Sequence, residues 1–187
     1  MKKLNLFNVD VIDHLVQPAE FAEANLNSTA LDFVSDFKTN SPMMIDANTC
    51  AVEAEDMMNH EHTKLKLVID ANQELIGLIS YEQLSIQNVL QRLGKGVNRT
   101  DLTVADLMRP RAEIKALAYE QIKHCTIGDV LNTLQHNGEQ HCLVIDTDSH
   151  HIRGVISASD IASRLHVPVE IEKELTFMDI FSAVKVR

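Results

Sequence analysis

Two short phrases place hydrogen-bonding side chains at the same spacing. GLIS (Gly77–Ser80) is followed three residues later by Gln83, and GVIS (Gly154–Ser157) by Asp160. An ionised carboxylate accepts two hydrogen bonds at once, which suits a vicinal diol. A primary amide presents one accepting oxygen beside a donating nitrogen. If a ligand carrying such a diol binds, Asp160 with Ser157 is the candidate pair, and Ser80 with Gln83 the weaker one. The same Ser-x-x-Gln spacing is also that of a capping box at a helix start, and Ser-x-x-Asp nearly so. A cap alone contributes about 0.5–2 kcal/mol, enough to explain both phrases without a ligand. The spacing leaves binding and capping open for Asp160.

The elements that must position these residues repeat as well. CAVEAEDMMNHEHTKLKLVID (Cys50–Asp70) aligns without a gap on TIGDVLNTLQHNGEQHCLVID (Thr126–Asp146), with LVID as the strongest match. In the second copy Thr126 is a good N-cap with Asp129 three residues on, and Ile127, Val130, Leu131 and Leu134 fall at helical spacing. HCLVI is a short apolar strand, DTDSHH a turn, IRGVI its hairpin partner, and SASDIASRL opens another helix. The first copy reads alike, with a helix from about Ala51 to His60, strand KLKLVI, turn DANQE, strand LIGLI and a helix from Ser80. MMIDA (Met43–Ala47) and EIKAL (Glu113–Leu117) are the candidate leading strands.

The expected fold class is α/β (or α+β), two units of strand, helix, strand, strand, helix packed with pseudo-twofold symmetry. One unit of about 50 residues would be marginal alone, and two make one core. The expected division is a helical extension over residues 1–29, repeat one over 30–93, a linker over 94–102, repeat two over 103–166 and a helical tail over 167–187. The tail places Leu175, Met178, Ile180, Phe181 and Val184 on one helical stripe, read as packing on its own module or as a dimer contact.

Composition excludes several function classes. The formal net charge is −10 with a pI near 5.3, and no lysine or arginine run exceeds two residues, which argues against nucleic acid as a partner. No apolar run approaches the 18 or so residues a spanning helix needs, so a membrane is not expected. Asn5, Asn8, Asp10 and Asp13 interrupt the apolar pattern after Lys2 and Lys3, unlike a secretory signal, and the reading is a cytoplasmic protein. Cys50, Cys125 and Cys142 form no CxxC pair and read as reduced, mostly buried thiols. His60-Glu61-His62 and His150-His151 read as surface groups, because histidines two apart on a helix face different ways. No metal site and no cofactor requirement is expected. GxSxG, GxGxxG and P-loop phrases are absent from the sequence, and the protein is not expected to be an enzyme.

The order TVADLMRP, T-I-x-D-V, LVID and G-V-I-S-x-x-D-I resembles a CBS domain, named after cystathionine β-synthase. The two copies together resemble a tandem CBS pair, the Bateman module, over roughly residues 30–166. The closing phrase ISASDIASRLHVPVEIE is similar to that of stand-alone bacterial CBS-pair proteins. The resemblance implies a regulatory module that binds an adenosine-containing ligand (AMP, ADP, ATP or S-adenosylmethionine) between the repeats. It implies that Asp160 accepts from both ribose hydroxyls with Ser157 beside it, and that the chain forms a homodimer that signals to a separate protein partner. In the family's M-[ST]-P phrase this chain has Met108-Arg109-Pro110, with Val34-Ser35-Asp36 as a poorer first-copy match. Phosphates need cations or free backbone N–H groups. Arg109, Arg111, Arg153 and Arg164 lie near the second copy's motifs, and Arg109 is the candidate phosphate contact. Val155 and Ile156 are candidate apolar walls, though both are equally core strand residues. The alternative reading is a ligand-free dimerisation or interaction scaffold.

Overall fold

The computed structural model describes residues 24–85, 89, 98–135, 139–167 and 176–185. Repeat one runs through β1 (Ser35–Asp36), β2 (Met44–Asp46), α1 (Ala51–His60), β3 (Leu65–Ile69), β4 (Leu75–Ser80) and α2 (Tyr81–Leu84). Repeat two runs through α3 (Val104–Leu107), β5 (Arg109–Pro110), β6 (Ala116–Ala118), α4 (Tyr119–Ile122), α5 (Ile127–Leu134), β7 (His141–Asp146), β8 (His151–Ser157) and α6 (Ala158–Arg164). Helix α7 (Phe177–Lys185) follows.

Local chemistry explains the hairpins and helix starts. Asp70 closes the β3–β4 turn by accepting from the backbone N–H groups of Asn72 and Glu74 at 2.8 and 2.9 Å. Asp146 does the same for β7–β8 with Asp148 and Ser149 at 3.1 and 3.2 Å. Thr126 and Asp129 form the full capping box of α5. Such side-chain acceptors satisfy donors that the turn or helix start would otherwise leave open.

Two mixed sheets form, in the orders β2-β3-β4-β5 and β1-β8-β7-β6. Each is completed by an edge strand exchanged between the repeats. β1, which leads into repeat one, pairs antiparallel with β8 of repeat two, and β5, which leads into repeat two, pairs antiparallel with β4 of repeat one. The repeated glycine makes this crossing possible. A Cβ at Gly154 would lie 2.6 Å from the Ser35 carbonyl oxygen, and one at Gly77 2.7 Å from that of Arg109. Both are closer than real Cβ contacts allow, so only glycine lets the borrowed strand approach. Arg153 on β8 then pins β1 with a two-pronged ion pair to Asp36, both contacts 2.7 Å.

The exchange extends beyond the strands. Ala51 donates to the Leu102 carbonyl and Val104 to that of Thr49, while Ile127 donates to Ser28 and Ala30 to Cys125. Each repeat has its own buried cluster, around Met58, Val68 and Ile79 in the first and Leu131, Val144 and Ile161 in the second. A third cluster of Leu67, Leu75, Leu78 and Leu143 packs one sheet on the other.

Several sequence expectations are corrected. The leading strand of repeat two forms at Ala116–Ala118 rather than Glu113–Leu117, because Arg111–Glu113 turns the chain from β5 towards β6. Residues 1–23 of the expected helical extension lie outside the described residues. Residues 24–29 are turn and bridge, their backbone groups engaged by repeat two. In the tail, α7 packs on α5 and α6. Phe177 and Ile180 are fully buried there, whereas Met178 is 40% exposed, and Leu175 lies outside the described residues. Cys142 is buried, and burial pushes its thiol up to about 12, an inert state. Cys50 and Cys125 are partly exposed free thiols. No described helix is long and apolar enough to cross a membrane.

Candidate functional site

The exchange of edge strands creates two clefts, each walled by both repeats. The larger, of about 780 Å³, lies where β8 runs into α6. Repeat two contributes Val155, Ser157 and Asp160, the borrowed edge contributes Val34 and Ser35, and repeat one contributes the segment Thr63, Lys64 and Leu65. The smaller, of about 250 Å³, lies where β4 runs into α2 and is lined by Ser80, Gln83 and Arg109, with Gln140 and His141 opposite.

At the smaller cleft the helix start is fully self-satisfied. The Gln83 backbone N–H donates to Ser80 Oγ at 3.3 Å, and the Ser80 N–H donates to Gln83 Oε1 at 2.8 Å. Both side chains serve the cap of α2. Arg109 is engaged too. Both terminal guanidinium nitrogens bond Glu139, one of them at 2.7 Å, and Nη2 also donates to the Glu113 carbonyl at 2.5 Å. Glu139 is buried, and its hydrogen bond to Arg109 raises the guanidinium pKa above its already high value. Neighbouring His141 is pushed down to about 4, first by burial and then by the Arg109 charge, so it is neutral near pH 7.

The larger cleft differs at the same positions. Ser157 is buried and makes no side-chain cap on α6; its hydroxyl is hydrogen-bonded to that of Ser159 at 2.7 Å. Asp160 is exposed, and its carboxylate accepts no hydrogen bond among the described residues. Crowding by protein raises its pKa, while the charges of Arg164 and Lys64 pull it back. Two carboxylate oxygens thus stay open to a ligand in a cleft within the size range of small-molecule sites.

The sequence candidates divide accordingly. Asp160, Ser157 and Val155 come together in the larger cleft. Ile156 does not join them: neighbouring residues of a strand face opposite ways, and Ile156 is fully buried in the repeat-two core. Arg109 is corrected as well. It lies with Ser80 and Gln83 because β5 joins the sheet of repeat one. Of the other arginines, Arg153 holds Asp36, Arg111 donates to the Leu75 carbonyl at 3.3 Å, and Arg164 lines the larger cleft. Sequence reasoning passed over Lys64, which comes from the opposite repeat. His60, Glu61 and His62 are exposed, and no described cluster could hold a metal ion.

Comparisons with known proteins follow this geometry. The family model described as CBS domain matches residues 123–167. An uncharacterized conserved protein of Pyrococcus horikoshii superposes with a TM-score of 0.56 at 15% identity, covering 79% of this chain and 98% of its own. A CBS-domain-containing protein of Agrobacterium tumefaciens also gives 0.56, at 14% identity over 81% and 98% of the two chains. CBSX2, solved in complex with AMP, gives 0.50 at 20% identity over 73% and 94%. No curated protein matches the chain by sequence. The two sheets with exchanged edge strands give this chain the fold of tandem CBS-pair structures, and the match to the CBS domain model falls in its second repeat.

Proposed function

We propose that the protein is a regulatory module that senses an adenosine-containing nucleotide in the larger cleft. Asp160 accepts hydrogen bonds from the two ribose hydroxyls, Ser157 stands beside it, and Val34, Leu65 and Val155 offer apolar walls for the base. The observation that carries this reading is the contrast between the two helix starts. Gln83 is consumed by its capping box, whereas Asp160 is outside any cap and open in the cleft. The AMP complex of CBSX2, which shares the fold, supports adenosine as the ligand class.

A ligand in this cleft touches both repeats and so favours whichever arrangement of them closes around it, a population shift rather than a catalytic step. The proposal includes a homodimer and a separate protein partner as output, both carried from the family resemblance. Thermal unfolding against AMP, ADP, ATP and S-adenosylmethionine, with GTP as control, tests it. A ligand at 100 times its Kd stabilises by about 2.7 kcal/mol. The expected result is a raised Tm with an adenine nucleotide, abolished in Asp160→Ala while the unliganded Tm holds. No shift with any of them would leave the fold as an interaction scaffold.

A further inference from the structure

The segment between β1 and β2 crosses from one sheet to the other, and one ion pair holds its start. We propose that this segment is a strap along the rim of the larger cleft, and that Arg153 is a positioning residue that keeps the strap in place and so tightens the cleft on its ligand. This rests on the nucleotide reading of the cleft and adds to it a residue that does not itself line the cleft.

β1 belongs to the sheet of repeat two and β2 to that of repeat one, so residues 37–43 bridge the two walls. Phe37, Asn40, Ser41 and Met43 line the larger cleft on the way. Asn40, Ser41 and Met43 are exposed, which puts them at its rim, while Phe37 packs into the cluster between the sheets. Each end has one backbone anchor. The Phe37 N–H donates to the Arg153 carbonyl and the Leu67 N–H to the Met43 carbonyl, both at 2.8 Å.

The start of the strap is a turn built on Asp36. Its carbonyl accepts from the Thr39 and Asn40 N–H groups at 3.1 and 2.9 Å, and its carboxylate from the Lys38 N–H at 2.8 Å. The same carboxylate takes both prongs of Arg153. The guanidinium holds the Asp36 carboxyl below the usual carboxylate range, so the pair is ionised at neutral pH. Arg153 is braced in turn, lying over the Tyr119 ring 4.5 Å from its centroid, with its side chain 14% exposed. A planar fork held on an aromatic face keeps one orientation.

The matching connection between β5 and β6 is fastened differently. Arg111–Glu113 forms a tight turn there, with Arg111 donating to the Leu75 carbonyl and Arg109 to that of Glu113. In the strap, the hydrogen bonds of residues 38–42 run back to Asp36 or stay within the segment, among the described residues. Such a segment moves as a unit about its ends. With the Asp36 turn in place, Val34, Ser35 and the strap complete one side of the cleft. With the pair broken that side opens, and affinity falls by the fraction of molecules that still have it in place.

Calorimetric titration of the full chain with AMP, read beside hydrogen exchange, tests this. Asp36→Asn keeps the oxygen that accepts from Lys38 and removes the charge, and Arg153→Gln removes the fork. Each is expected to weaken AMP binding by about three- to tenfold, the loss for a strap in place in roughly a third to a tenth of molecules. The double variant loses no more than either single one, because both act through one pair. Without ligand, the Phe37, Thr39 and Asn40 amides exchange faster in both variants, while those of β3 and β7 keep their protection. Asp36→Asn is the gentler change and carries the test if Arg153→Gln does not fold. Unchanged AMP affinity in the folded variants, or losses that add in the double variant, overturns the positioning role. Unchanged exchange at Phe37, Thr39 and Asn40 overturns the strap. If the wild-type protein binds no AMP, the nucleotide reading falls and the positioning role falls with it, whereas AMP binding that the variants leave intact discards only the strap's grip.

Discussion

The two clefts start from nearly the same phrase and end in opposite chemical states. In the smaller one the motif's accepting oxygens and its arginine are engaged inside the protein: Ser80 Oγ and Gln83 Oε1 in the capping box, Arg109 on Glu139. In the larger one Ser157 does not cap its helix, Asp160 stays open, and Lys64 carries an unpaired charge among the described residues. One helix start spends its polar side chains on its own cap, and the other does not. The difference lies at the third helical position. Gln83 closes the capping box of α2 and Asp160 does not close one on α6, although the equally short Asp129 closes that of α5. The repeat thus preserves an architecture while its two helix starts end in different hydrogen-bonding states.

The strongest way to break this comparison is through the glycines that both clefts share. Gly154→Ala drives a Cβ against the Ser35 carbonyl and the Val34 side chain, at 2.6 and 2.8 Å. Gly77→Ala meets the Met108 sulfur at 2.5 Å and the Arg109 carbonyl at 2.7 Å. Each is expected to destabilise by about 1–3 kcal/mol, the usual range for overpacking, measured by chemical denaturation. Their effects on AMP binding should part. Gly154→Ala displaces Val34 and Ser35, which wall the larger cleft, and loses binding. Gly77→Ala disturbs β5 and the smaller cleft and keeps it. Equal loss of binding in both variants would mean that the clefts do not act separately.

Much of this was legible in the sequence, and the failures have physical causes. The hairpins follow from the LVID runs and their Asp-headed turns, and the helices from apolar spacing and Thr126. Strand alternation would have placed Val155 and Ser157 on one face and Ile156 on the other, so the misplacement of Ile156 neglected a signal that was present. Arg109 is a different matter. β1 and β5 are two residues long, too short for any periodicity, and their pairing with the other repeat is a long-range event. The place of Arg109 in the second copy's Met108-Arg109-Pro110 phrase therefore pointed to the cleft of that copy, whereas it lies in the other. Lys64 carried no local signal at all, because its place in the larger cleft depends on which wall faces Asp160.

A gentler test sharpens the contrast at the helix starts. Ser80→Ala removes an acceptor that Gln83 N–H uses, and is expected to cost about 1 kcal/mol. Ser157→Ala should cost less, since its hydroxyl bonds only Ser159 rather than an open backbone donor. Paired thermal melts without ligand would show the order, and a reversed order would mean that Ser157 is the more important cap.

The smallest effect belongs to Asp160 itself, and its sign separates a binding group from a structural one. Crowding in the cleft raises its pKa, so the folded protein prefers the protonated form. Its contribution to stability is therefore present below the ordinary carboxylate pKa and is lost as pH rises through the raised value. At pH 7 the ionised group no longer supplies it. Asp160→Asn keeps the size and drops the charge, so the unliganded variant should melt at or slightly above the wild-type temperature at pH 7. The gap should close as pH falls below the raised pKa. A carboxylate that capped α6 would behave the other way, with a lowered pKa and a variant less stable at pH 7, as the cap-forming Asp129 should show when it is replaced in the same manner.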